Sequence, residues 1–174
     1  MSGAAKGYVV DRGAQLLDSK SVQHYLINIG GEVRAKGQKG ERLWTAGIEH
    51  PDSTESSLID SIDLQNASLA TSGNYRKFFK ADGKHYSHVI DPRTGHPIPE
   101  DRVSVSVLAD DCATADGLAT AFLVLGVDQA LKLSDLLDQV EVLFVTECSE
   151  GSLILHQSKG WPSAETTCKK ESER

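Results

Sequence analysis

The chain has 174 residues, 39% apolar and 25% charged, which suits one domain with a hydrophobic core and argues against a fibrous or disordered polymer. Its net charge of −7 argues against nucleic acid as a partner, because duplex binding requires a basic face. No run of about 18 apolar residues could cross a membrane as a helix, and the opening stretch MSGAAKGYVVDRG lacks the basic start and apolar core of a signal peptide.

Residues 4 to 19 predict a helix, with Val10, Ala14 and Leu17 at i, i+4 and i+7. HYLINIGG predicts a strand stopped by Gly30 and Gly31. EVRAKG and LWTAGIE predict further strands across a Gly/Lys turn, PDSTESS a polar loop, and LIDSIDL and ASLATSG two more strands. HYSHVID predicts the next strand, ended by Pro92. In VSVSVLA strict alternation predicts a half-exposed strand, with Val103, Val105 and Val107 on one face and serines on the other. CATADGLATAFLVL predicts a helix that Asp111 caps and Gly126 stops, and VDQALKLSDLLDQV predicts a second. EVLFVTE and SLILHQ close the pattern as a strand pair around Ser-Glu-Gly. The fold class is α+β, with a meandering, mostly antiparallel or mixed sheet and three helices.

Cys112, Cys148 and Cys168 are odd in number and far apart, so they predict packing thiols, with neither a zinc site nor a disulfide framework. Asp116 and Thr120 lie four apart, on one face of a helix. A carboxylate and a hydroxyl are hard ligands that favour Mg²⁺ or Ca²⁺ over zinc. From spacing alone the bland alternative is the stronger reading: a helical Thr back-bonds to its i−4 carbonyl, and an Asp early in a helix matches the macrodipole. His88, at a strand end before a Pro turn, suits a general base near neutral pH or a hydrogen-bonded structural His. Asp91 and Arg93 close that turn.

The pair Gly30-Gly31 allows close approach of backbone to a phosphate or to another strand, but it fails the dinucleotide fingerprint. Glu32 and Arg34 follow on alternate sides of an edge strand, as a structural pair. Between Arg76 and Arg93 the chain is locally basic, through Lys77, Lys80 and Lys84. That suits an anionic small ligand such as a nucleotide or an ordinary solvated face.

Five stretches, GAAKGYVVDR, YLINIGGEVRAKG, ATSGNYRKFF, YSHVIDPRTGHPI and CATADGLATAFLVLG, stand in this order and spacing. Together, from Gly3 to Trp161, the chain resembles the ApbE family, the FAD:protein FMN transferases. The resemblance implies an ApbE-like fold and Mg²⁺-dependent transfer of FMN from FAD to a Thr (or Ser) hydroxyl of an acceptor flavoprotein, with release of AMP. It implies that Asp116 and Thr120 are metal ligands, that a backbone carbonyl at Gly3 completes the metal shell, and that Lys6 and Ile90 touch FAD. It also implies that His88 is the catalytic histidine. Acceptors in the family are typically flavoprotein subunits of membrane redox complexes, and members are usually exported, periplasmic or membrane-anchored lipoproteins.

The resemblance implies a whole further half ahead of the first of these motifs, which here begins two residues after Met1, so the chain reads as the C-terminal half of such a protein, the N-terminal half missing. Residues 1–162 form the flavin transferase region, and 163–174 a polar tail expected to be disordered. A sheet divided in this way predicts self-association or pairing with a separate N-terminal half. FAD pyrophosphatase activity, with water replacing the acceptor hydroxyl, is the alternative chemistry. A non-catalytic fragment or assembly module is the alternative class.

Overall fold

The computed structural model describes residues 2–51, 57–74, 78–81, 84–148 and 151–162. A 3₁₀ turn, Ser2–Ala4, leads into helix α1, Ala5–Ser19. Strands β1 (Tyr25–Ile29), β2 (Glu32–Lys36), β3 (Trp44–Glu49), β4 (Leu58–Leu64) and β5 (Ser68–Gly73) follow. Then come β6 (Phe78–Ala81), β7 (Lys84–Ser87), β8 (Ile90–Asp91), β9 (His96–Pro97) and β10 (Arg102–Ala109). Helices α2 (Cys112–Leu125) and α3 (Val127–Ser134) precede β11 (Glu141–Glu147) and β12 (Leu153–Gln157). The α+β class with three helices is as the pattern predicts.

Six strands form one sheet in the order β1-β2-β5-β10-β11-β12, and every pairing among the described residues is antiparallel. One face carries the helices: Val105 and Val107 of β10 and Phe144 of β11 pack with Ala115, Ala119 and Phe122 of α2. The small Ala115 and Ala119, both fully buried, let α2 lie close on the sheet. The other face is covered by the β3–β4 hairpin, whose Ala46, Ile48, Ile62 and Leu64 meet Leu69, Leu143, Val145 and Trp161. Each large side chain so buried contributes about 1.5–3 kcal/mol.

Several expectations are corrected. HYSHVID is not one strand: β7 ends at Ser87, β8 begins at Ile90, and His88 sits in the bend between them. The Ser87 hydroxyl accepts the Val89 N–H at 3.0 Å, a local bond that turns the chain. β10 is not half-exposed. It lies between β5 and β11, Ser104 and Ser106 are buried, and Ser106 satisfies its hydroxyl on Thr71 at 2.8 Å. A register shift between Arg102 and Ser104 puts Val103 on the hairpin face, away from Val105 and Val107.

The second predicted helix is shorter than its sequence pattern. After Ser134 the chain tightens through Leu136 N–H to Leu133 and Leu137 N–H to Ser134, leaving Leu136 78% exposed. The β6–β7 hairpin was not anticipated, although Asp82-Gly83 between its strands in sequence is a hairpin signal. The tail 163–174 with Cys168, and the basic residues Arg76 and Lys77, lie outside the described residues. So do most of the PDSTESS loop and the side chains of Lys80 and Lys84.

α1 meets α2 almost backbone to backbone at Gly7. A Cβ there would stand 2.1 Å from the Cys112 carbonyl oxygen. Helix propensity alone favours Ala over Gly by roughly 1 kcal/mol, but this clash is with main chain and cannot be relieved by a rotamer. Gly7→Ala is therefore expected to destabilise the fold by about 3 kcal/mol or more, read as a lower urea midpoint at unchanged m-value. An unchanged or higher midpoint would contradict the close approach.

Candidate functional site

β2 and β5 pair only through Val33–Leu69 and Arg34–Ser68. β5 continues to Gly73 along β10, whereas β2 begins at Glu32. The fork between them opens toward the start of α1 and one flank of α2. It forms a cavity of about 1540 Å³, with Thr71, Ser72 and Gly73 on its wall. Gly3, Lys6, His88, Ile90, Asp116 and Thr120 all line it. Three separate stretches of sequence are thus brought to one place.

Asp116 and Thr120 face the cavity from successive turns of α2. Asp111 accepts the Thr114 N–H at 2.8 Å and starts the helix as its N-cap. Asp11 reaches over from α1 to accept the N–H groups of Cys112 and Ala113 at 3.0 and 2.8 Å, so the first donors of α2 are satisfied by two carboxylates. Asp116 is 3% exposed, and its Oδ2 accepts the Gly7 N–H at 2.9 Å. The Thr120 hydroxyl meets Ser72 Oγ on β5 at 3.0 Å, tying α2 to the sheet.

Gly3 completes this corner. A Cβ on it would lie 2.9 Å from Thr120 Oγ1, so the backbone of the 3₁₀ turn abuts that hydroxyl directly. Among the described residues no three His, Cys, Asp or Glu side chains cluster as ligands. The donors here are instead one buried carboxylate, one hydroxyl and bare main chain. That lean, all-oxygen set fits Mg²⁺, which retains water and takes substrate phosphate oxygens as further ligands.

A second feature was not read from the sequence. Glu32, 1% exposed, accepts a short charge-assisted hydrogen bond from Lys6 Nζ. Burial pushes its carboxyl pKa up, Lys6 opposes the rise, and Asp116 adds to it. Glu32 and Arg34 are two apart on β2 and share the face toward α1. β2 is an inner strand, and the two residues pair with Lys6 and Asp11, not with each other. The expected edge pair is therefore replaced by two inter-element pairs. Gly30 and Gly31 join β1 to β2 with φ of 65° and 102°, and both line the cavity. Open space stands where a Gly31 side chain would be, so the turn presents bare backbone.

The loop from His88 to Ile98 closes another side. His88 is exposed on the cavity wall, and Ile90 is 47% exposed beside it. Arg93 grips Asp91 in a two-pronged pair, Nε and Nη2 to the two carboxylate oxygens at 2.9 and 2.7 Å. This pairing lowers the Asp91 carboxyl to about 2. Arg93 Nη2 also reaches the Val124 carbonyl at 3.4 Å, at the end of α2, and Ile98 N–H bonds the Val89 carbonyl at 3.0 Å. Cys112 is fully buried and burial raises its thiol to about 12, so it packs and does not react as a thiolate near neutrality.

A model of the ApbE family matches residues 1–144. The FAD:protein FMN transferase of Vibrio cholerae is 40% identical over 152 residues, covering 87% of this chain and 45% of that protein. The FAD:protein FMN transferase of Haemophilus influenzae is 39% identical over 168 residues, covering 91% and 49%. Among solved structures, the apo Pseudomonas stutzeri flavinyl transferase ApbE superposes with a TM-score of 0.78 at 34% identity, covering 91% of this chain and 49% of that one. The flavin transferase ApbE from Vibrio cholerae gives 0.76 at 38% identity, covering 90% and 49%. The chain spans about half the length of the curated relatives it matches. With a family model over most of its length and the same fold at this identity, the chain belongs to the ApbE family.

Proposed function

We propose that this chain takes part in moving FMN from FAD to a Thr or Ser hydroxyl of an acceptor flavoprotein, with Mg²⁺ and with AMP as the leaving group. The observation that carries the reading is the convergence of Gly3, Lys6, His88, Ile90, Asp116 and Thr120 on one cavity. The relatives' names supply the flavin and the acceptor class. Family resemblance suggests that the acceptor is a subunit of a membrane redox complex.

Asp116, Thr120 and the Gly3 carbonyl would hold the cation. When bound, Mg²⁺ supplies Lewis-acid polarisation of the phosphoryl oxygens and offsets charge at the diphosphate. Lys6 presents a positive group on the same wall and would contact the dinucleotide, as would the exposed apolar surface of Ile90. An imidazole nitrogen of His88 would accept the proton of the acceptor hydroxyl as its oxygen bonds to the FMN phosphorus. The bond from that phosphorus to the bridging oxygen breaks, and AMP departs with the electron pair. The cavity walls contribute alignment, which is the larger part of catalysis in phosphoryl transfer.

Incubating the chain with FAD, MgCl₂ and an acceptor flavoprotein should add the mass of FMN to one hydroxyl residue. Free FMN and AMP beside an unmodified acceptor would assign hydrolysis instead, and no FAD binding at any Mg²⁺ concentration would overturn the reading. His88→Ala should slow transfer by about 10²–10⁴-fold with little change in FAD affinity. A matching loss of affinity would make His88 a binding residue. Asp116→Ala should remove the response of rate and of FAD binding to Mg²⁺ titration. A retained response would place the cation elsewhere.

A further inference from the structure

On the reading that Lys6 touches the dinucleotide, we propose that Glu32 is its positioning residue, fixing the direction of the Lys6 ammonium at the cavity wall. Glu32 itself is shut away behind the Gly30-Gly31 turn. It is 1% exposed, and a Cβ on Gly30 would stand 3.7 Å from its Oε2. Lys6, by contrast, keeps 49% of its side chain exposed and lines the cavity. The pair therefore joins a buried anchor to an accessible head.

Stability does not account for this carboxylate. Its Oε1 takes the Lys6 ammonium, while its Oε2 is buried with no hydrogen-bond partner among the described residues. A half-satisfied buried carboxylate is costly, and an apolar side chain of like volume would usually serve the fold as well or better. What the carboxylate supplies is direction. Lysine carries a point charge on a flexible four-carbon stem. A hydrogen bond donated to a carboxylate on a rigid strand end removes that freedom before the ligand arrives, leaving the remaining ammonium donors for the cavity.

Charge and position predict opposite signs. As a mere charge, Glu32 opposes anion binding, so Glu32→Gln would tighten it. As a positioning group its loss weakens binding. The test uses the whole chain, FAD fluorescence titration at fixed Mg²⁺, and the variants Glu32→Gln, Glu32→Asp, Lys6→Met and Glu32→Gln/Lys6→Met. Glu32→Gln is expected to weaken FAD binding about tenfold. Glu32→Asp, which keeps the charge but withdraws it, should also weaken binding. In the Lys6→Met background Glu32→Gln should add no further loss. Tighter or unchanged binding in Glu32→Gln, or fully additive losses in the double variant, would overturn the proposal.

A second readout needs no ligand. In ¹⁵N ammonium spectra of the free chain, Lys6 should give a protected signal that disappears in Glu32→Gln. A Lys6 signal that is the same in both overturns the positioning role. Failure of the unaltered chain to bind FAD overturns the functional reading instead, and the ammonium spectra still decide whether Glu32 holds Lys6.

Discussion

The contact of α1 with α2 at Gly7 is the constraint on which the site depends. Without a side chain at that position the two backbones approach until the Gly7 N–H reaches Asp116 Oδ2 at 2.9 Å. At this separation, Asp11, one turn further along α1, can cap the start of α2. The 3₁₀ turn before α1 is carried against Thr120, and Lys6 against Glu32. A wider spacing would lose the three contacts to α2 together, and it would shift Lys6 relative to Glu32 on β2.

That seam is acidic. Asp11, Glu32 and Asp116 stand along it, and the cations paired there are Arg34, to Asp11, and Lys6, to Glu32. Asp116 has a backbone amide where the other two have a cation. The proposed cation is placed at that corner on this arrangement, a carboxylate beside a hydroxyl and bare main chain. The nearness of Asp116 also adds to the raised carboxyl pKa of Glu32.

Local pattern made much of this legible in the sequence. The caps at Asp111 and Gly126 and the periodicity of α1 are near-neighbour effects, and they are found where expected. The candidate residues could be named because their motifs are compact. What escaped was set by distant partners. Ser104 and Ser106 look solvent-facing by alternation, but β5, β11 and the β3–β4 hairpin bury them, and Thr71 supplies the missing hydrogen bond. The Glu32–Lys6 pair joins residues 26 apart, and the fork between β2 and β5 arises where two strands stop pairing. No window along the chain contains either. Register and divergence are properties of pairs of segments, which periodicity cannot report.

α2 also works as a spacer. Its second and third turns carry Asp116 and Thr120, and its last carbonyls accept from Arg93 of the His88 loop and from Arg102 at the start of β10. From Asp116 to Val124 the helix rises about 12 Å, at roughly 1.5 Å per residue. That distance separates the attachment point of the His88 loop from the proposed cation corner. The Asp91–Arg93 pair is solvent-exposed and by itself worth little. Its placement at a helix C-terminus adds the attraction of the guanidinium to unpaired carbonyls, and the fork geometry fixes its angle. The loop is thus registered to the same helix that carries Asp116 and Thr120, whose Ala115, Ala119, Phe122 and Leu123 are locked in the core.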